Sequence, residues 1–214
     1  MHFHIVTLFP ESIAGYFATS MLKRAQEDGY IKVSLYNPKD FTESWKERID
    51  RRPYGGGPGM VLAPEPMLKA AEKALKKAGK ANVTRIFFSP SGAEFDAKMA
   101  KSLAKKKHIL MICGHYEGVD ARVQKILKAK PVSTGPYVLT GGELPAATMV
   151  DAIARHVKGV LGDINSLEEN RVSSPAVYTR PATLLWKKRK YHVPEVLKSG
   201  HHAKIDEWKK KQQG

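Results

Sequence analysis

One order of events recurs along this chain of 214 residues. An apolar run ends in a turn rich in glycine or proline, and an amphipathic stretch follows. Phe3–Phe9 is compact, apolar and rich in β-branched residues, the pattern of a buried strand. Pro10-Glu11-Ser12 then opens a helix with Ile13, Phe17, Met21 and Ala25 on one face and Gly29 to stop it. Ile31, Val33 and Leu35 alternate with Lys32 and Ser34 as in a half-buried strand. Pro66 to Ala78 carries Met67, Ala71, Leu75 and Ala78 at helical spacing. The unit returns at Val83–Phe88, with the turn Ser89-Pro90-Ser91-Gly92 and a helix marked by Phe95, Met99 and Leu103. It returns again at Ile109–Cys113, with the loop Gly114 to Asp120 and a short helix through Val123, Ile126 and Leu127. Strand, loop and helix in this alternation predict an α/β fold, a mostly parallel sheet with ligand loops at the strand C-termini.

The densest of these turns is Ser133-Thr134-Gly135-Pro136-Tyr137-Val138-Leu139-Thr140-Gly141-Gly142-Glu143-Leu144-Pro145. Alone it reads as two tight turns around a short strand, Tyr137-Val138-Leu139. Beside two other glycine-rich loops that also follow apolar runs, it reads as one wall of a shared pocket. A helix over Leu144–Val157 follows, with Leu144, Thr148, Asp151 and Arg155 on one stripe. Asp151 and Arg155 are four apart and can pair, or can face a pocket together. Gly55-Gly56-Gly57-Pro58-Gly59 cannot be a regular element. Its spacing matches neither a dinucleotide fingerprint nor a Walker loop. Arg51, Arg52 and Tyr54 beside it leave two readings, a plain flexible loop or a mobile loop that touches nucleic acid.

Charge bears on the partner. Lys and Arg number 36 against 21 Asp and Glu, a formal +15, which draws a chain towards polyanions, nucleic acid first. The single cysteine, Cys113, lies in an apolar run and reads as a buried structural thiol in a reducing compartment. No apolar stretch approaches the ~20 residues of a membrane span, and the first residues do not read as a signal peptide. The expectation is a cytoplasmic protein. Three parts are expected: an α/β domain over 1–160, a mobile linker over 161–175 and a basic, mostly helical domain over 176–214. From Trp186 onward there are nine Lys or Arg against three Asp or Glu, and Ile205 and Trp208 suit a last amphipathic helix. His201-His202 lacks spaced Cys, Asp or Glu partners, so no metal is assigned there.

Five motifs occur in order: Arg52-Pro53-Tyr54-Gly55-Gly56-Gly57-Pro58-Gly59-Met60, Cys113-Gly114-His115-Tyr116-Glu117-Gly118-Val119-Asp120, Tyr137 to Pro145, Tyr178-Thr179-Arg180-Pro181 and Ser199-Gly200-His201-His202. Together they resemble the bacterial tRNA (guanine-N1)-methyltransferases, the TrmD family of the SPOUT class, over essentially the whole chain. The resemblance implies a deep trefoil knot in the C-terminal part of the α/β domain, with S-adenosylmethionine bent inside it. It implies a homodimer with shared active sites. The methyl would go to N1 of the guanine 3′ of the anticodon (position 37), with Mg2+ as a further requirement left open. The alternatives are a non-catalytic RNA-binding relative and a SPOUT methyltransferase acting on another RNA position.

The resemblance also implies roles. Ser89, Pro90, Gly114, Tyr116, Glu117, Ser133, Thr134, Gly135, Tyr137, Val138, Leu139, Gly141, Gly142 and Pro145 would line the cofactor pocket. Arg155 would stabilise the guanine O6, and Glu117 would take a magnesium or electrostatic role. Tyr54, Gly55, Gly56, Gly57, Pro58, Gly59, Asp120, Arg180 and His201 would handle tRNA, and the C-terminal domain would grip the anticodon stem. In one place the chain departs from the family. The usual general base is a linker aspartate, and its position here is Asn170, whose amide cannot accept a proton. The linker is about four residues shorter than the common form, which makes Glu169 the substitute base, with Glu168 behind it.

Overall fold

The computed structural model describes residues 1–42, 44, 48–79, 82–161 and 176–212. The chain divides into two compact units, Met1–Leu161 and Gly162–Gly214.

The first unit runs β1 (His2–Val6), α1 (Glu11–Phe17), α2 (Ser20–Glu27), β2 (Lys32–Tyr36), β3 (Asp50–Arg51), β4 (Val61–Leu62), α3 (Pro64–Ala78), β5 (Val83–Glu94), α4 (Ala97–Leu103), β6 (His108–Ile112), α5 (Ala121–Leu127), β7 (Lys130–Ser133) and α6 (Glu143–Ala154). Five strands form one sheet in the order β2-β1-β6-β5-β7, and every pairing in it is parallel. Successive strand residues point to opposite faces, so a sheet covered on both sides needs apolar residues throughout. Phe3, Ile5, Ile109 and Met111 pack on one face with α1, α2, α4 and α6, and Val6, Leu110 and Ile112 pack on the other with α3 and α5. The parallel α/β expectation is met.

Local detail departs from the sequence reading in four places. The first helix is two. The chain breaks at Ala18-Thr19, and Ser20 takes φ 49° in the left-handed region; the Thr19 hydroxyl caps the broken end by donating to the Tyr16 carbonyl at 2.9 Å. Met21 is therefore only half-buried, and Leu22 takes the core position. Next, the turn Ser89 to Gly92 is an excursion from β5 rather than its end. Phe88 and Ala93 both pair with Val132, so the intervening residues loop out and the strand resumes. Third, Ile126 on α5 is 59% exposed, outside the core.

Finally, Tyr137-Val138-Leu139 is not a strand. Among the described residues no strand pairs with it: the nearest ladder contact is the isolated bridge between His115 and Gly141, and Pro136 removes one backbone donor.

The second unit contains β8 (Thr183–Trp186), β9 (Arg189–His192), α7 (Glu195–Lys198) and α8 (His202–Lys211). Of the described regular elements, the two helices hold 14 residues and an antiparallel hairpin, which the sequence did not announce, holds eight. The hairpin turns at Lys187 and Lys188, with φ 45° and 64°. Such a turn normally advertises itself by Asn or Gly, and two lysines hide it. Tyr178 packs near Trp208 of α8, ring centroids 6.3 Å apart, while Leu185 and Trp186 are over 60% exposed. The linker expected over 161–175 lies, apart from Leu161, outside the described residues, as do Glu168, Glu169 and Asn170.

Candidate active site

Three adjacent strands, β6, β5 and β7, end on the same edge of the sheet, and the segments that leave them build one cavity of about 280 Å³. Ser89 and Pro90 come from β5. Gly114, Tyr116 and Glu117 come from the loop after β6. Ser133 and Thr134 close β7, and Tyr137, Val138, Leu139, Gly141, Gly142 and Pro145 come from the return towards α6. Of the residues expected at a cofactor, Gly135 alone does not line the wall. It stands behind it, its N–H donating to Ser133 Oγ at 3.3 Å and its carbonyl accepting from that hydroxyl at 2.8 Å.

Backbone proximity explains the glycines. The return segment is fastened to the β6 loop by Gly142 N–H donating to the Gly114 carbonyl at 2.8 Å. A Cβ on Gly142 would sit 2.6 Å from Cys113 Cα, with no flexible side chain to move aside. Tyr116 holds φ 58°, a strained conformation for an aromatic residue. Tyr116 and Tyr137 are half exposed and Val138 is 80% exposed. Apolar side chains left open around a cavity are surface that a bound ligand would cover.

Beside the lining residues Gly141 and His115, though not itself in the wall, stands a group to which the sequence reading gave no role. Glu143, in the first turn of α6, is 8% exposed and accepts from Thr7 Oγ1 at 2.7 Å. Its other oxygen lies 3.9 Å from His115 Nδ1, a buried nitrogen without a hydrogen-bond partner among the described residues. The sequence signal was the carboxylate directly after Gly141-Gly142, where a helix N-terminus favours negative charge. Cys113 is 1% exposed and donates to the Gly142 carbonyl at 3.3 Å. Burial first, and the Glu143 charge second, push its thiol well above the usual range, so it is inert.

Glu117 is on the rim, where the glycine-rich loop 55–59 comes down on it. Glu117 N–H donates to the Met60 carbonyl at 3.0 Å, and a Cβ on Gly59 would meet Glu117 Oε1 at 2.4 Å. Tyr54, at the start of that loop, is fully exposed. Gly55, Gly56, Gly57 and Gly59 all take positive φ, with Pro58 between them.

Asp120 has structural work of its own. It caps α5 by accepting from Arg122 N–H, and it holds the Arg122 guanidinium at 2.8–2.9 Å. The Arg122 hydrogen bond is the main reason its carboxyl lies below the usual range. Arg180 and His201, both exposed, lie in the second unit.

Arg155 is not at the cavity of its own chain. It follows the last turn of α6, while Gly142 and Pro145 at the other end of that helix line the wall. Twelve residues at about 1.5 Å each separate Glu143 from Arg155 by about 18 Å. Of the two readings open for Asp151 and Arg155, the ion pair does not form among the described residues, and neither residue lines the cavity. Asp151 accepts the Tyr16 hydroxyl instead, which ties α1 to α6 and raises the Tyr16 pKa.

A parallel sheet covered on both faces, with a cavity of glycine-bent loops at its strand C-termini, defines the chain as an α/β ligand-binding protein of the open-sheet class. Comparison with known proteins gives the family. The profile of "tRNA (Guanine-1)-methyltransferase TrmD" matches residues 1–214. A Carboxydothermus hydrogenoformans tRNA (guanine-N(1)-)-methyltransferase is 46% identical over 216 residues, covering 99% of this chain and 82% of that relative. Enzymes of the same name from Clostridioides difficile (41% identical) and Bacteroides fragilis (43%) each match 99% of this chain, and 92% and 93% of their own lengths. The chain belongs to the TrmD family of tRNA (guanine-N1)-methyltransferases.

Proposed function

We propose that this chain methylates N1 of the guanine immediately 3′ of the anticodon (position 37) of a tRNA, using S-adenosylmethionine, in the cytoplasm. The observation that carries the reading is the convergence of the three strand-end loops on one cavity. The lining fits the cofactor: open aromatic and aliphatic side chains suit an adenine and a thioether, and closely packed glycine backbone suits polar edges. When bound, S-adenosylmethionine supplies an electrophilic methyl group, so the protein needs no nucleophile of its own, consistent with the inert Cys113.

What the chain must supply is proton and charge management. Guanine N1 carries a proton at neutral pH, and we assign its removal to Glu169 as general base. Negative charge then develops on O6, and Arg155 is the cation assigned to it. An arginine about 18 Å along α6 from its own cavity cannot serve that cavity. Arg155 therefore serves the cavity of a second copy, which makes the functional unit a homodimer with shared sites. The family's deep trefoil knot is proposed on the path of 134–142, which leaves β7 at the sheet edge and returns to the β6 loop.

Glu117 is given the electrostatic role at the rim. For Mg2+, Glu117 would offer a single carboxylate, with water and substrate oxygens left to complete the shell. No step is routed through that ion.

RNA contact is assigned to Tyr54 with its glycine loop, to the Arg180 and His201 motifs, and to the hairpin of the second unit. There Trp186 and Tyr191 are exposed beside Lys187, Lys188, Arg189 and Lys190. A lone two-stranded hairpin with exposed aromatics is marginal in water and gains from a partner that stacks. In a titration of tRNA transcripts across salt, affinity is expected to fall steeply, about 10³-fold or more between 50 and 200 mM, if six or more phosphates are neutralised. A flat salt response would contradict this interface.

A further inference from the structure

Three histidines with no part in the proposed methyl transfer meet at the other end of the sheet. His2 opens β1, His4 is two residues on and so faces the same side, and His108 opens β6 directly opposite His2. One ring nitrogen from each lies within 4.8 Å of the others, and no other such trio occurs among the described residues. His4 is fully buried and the other two are half-buried.

The spacing suits coordination. His4 Nε2 stands 3.1 Å from His108 Nδ1. Two metal–imidazole bonds of about 2.0–2.1 Å at a tetrahedral angle hold their nitrogens about 3.3 Å apart. Outer partners already orient the rings, as they do around metal-bound histidines: Tyr36 OH is 2.9 Å from His4 Nδ1, and Ser34 Oγ is 2.9 Å from His2 Nε2.

The protonation state is also the one a metal needs. Burial is the main cause that lowers the His2 pKa to about 4 and that of His4 to about 3, with smaller contributions from His108, Lys32, Lys77 and the amino terminus at His2, and from His2, His108 and Lys77 at His4. Both rings are neutral near pH 7.

We propose that His2, His4 and His108 form a site for one divalent transition-metal ion of the imidazole-preferring class, Zn2+ foremost, which staples β1 to β6. On binding, the hydrogen bond between His4 and His108 gives way to two coordinate bonds. The proton of that hydrogen bond moves to the outer nitrogen of the ring that carried it, Nδ1 of His4 against Tyr36 OH or Nε2 of His108, which leaves both inner nitrogens free to coordinate, and water completes the shell. The nearby lysines oppose any cation, so the ion must bond strongly to nitrogen. That favours Zn2+ or Cu2+ and excludes Mg2+.

The test uses the full chain without an affinity tag, stripped of metal by a chelator. Equilibrium dialysis against ZnCl2 should give one ion per chain. At a hundredfold excess over Kd the melting temperature should rise by about 5 °C or more, and MgCl2 should not raise it. His2→Ala and His108→Gln should each abolish the rise, whereas the His201→Ala/His202→Ala pair should keep it. If His108→Gln does not fold, Co2+ substitution decides. The wild-type chain should show the visible absorption of a tetrahedral, nitrogen-bound ion at one equivalent, and His2→Ala should lose it. Absence of binding, or binding unchanged in His2→Ala, would overturn the site.

Discussion

Arg155→Ala is expected to lower kcat/KM for methyl transfer by about 10²–10³-fold while leaving S-adenosylmethionine affinity unchanged. The size follows from the chemistry. Once N1 loses its proton the guanine ring carries a negative charge centred on O6, and a fixed guanidinium in a water-poor site is worth most at that moment. Unchanged cofactor affinity follows from the assignment, because the guanidinium is given to O6 of the guanine, whereas the cofactor is given to the loops that line the cavity. A mixing experiment tests the shared site. Leu139 lines the cavity and is 39% exposed, so Leu139→Arg should block the pocket without breaching the core. Neither Arg155→Ala nor Leu139→Arg chains should be active alone. After subunit exchange, mixed dimers should regain activity, since one pocket in each then has an intact wall and a partner's arginine. No recovery would contradict the shared site.

Glu169→Gln is expected to cost about 10²–10⁴-fold in kcat, again with cofactor affinity held. The assignment rests on the resemblance to the family. The family's usual aspartate is replaced by Asn170, and an amide cannot take the N1 proton. In the proposed alignment the shorter linker makes Glu169 the carboxylate assigned to take it. The loss should be accompanied by a changed pH profile. In the parent chain kcat rises with pH as the base loses its proton, and in the variant that limb should flatten. Glu168→Gln should have a much smaller effect. Adding Asn170→Asp to Glu169→Gln should restore a carboxylate and a measurable part of the rate. Full activity in Glu169→Gln would remove it from the mechanism.

The sheet and the pocket were legible for one reason: both are written in residue types with few structural uses. Alternating or continuous apolar runs such as Phe3–Phe9 and Ile109–Cys113 have little option but a covered strand. Gly114, Gly141 and Gly142 mark places where backbone approaches backbone, as the 2.6 Å clearance at Gly142 makes plain.

The missed features use residues with many roles. Ser20 at φ 49° and Lys187-Lys188 at positive φ occupy conformations that sequence rules reserve for glycine or asparagine, so the split first helix and the C-terminal hairpin carried no local signal. Tyr137-Val138-Leu139 has strand-forming residues, but a strand needs a neighbour, and the residues instead line a cavity. Periodicity also hides a buried charge: Glu143 reads as a surface residue of a helix until Thr7, from a strand end 136 residues earlier, is seen to donate to it. Arg155 was given its proposed role by resemblance. Only the length of α6 showed that it cannot reach its own pocket.

The proposed reaction takes place at one atom of one class of substrate. The purified chain should be incubated with S-adenosylmethionine labelled in its methyl group and with tRNA transcripts bearing guanine or adenine 3′ of the anticodon. The labelled position is then mapped by nuclease digestion and mass spectrometry. One methyl per tRNA is expected, on N1 of that guanine, and none on the adenine transcript. A methyl on a ribose 2′-oxygen or another base would contradict the assignment of substrate atom. Tight tRNA binding with no transfer would contradict the assignment of a working base.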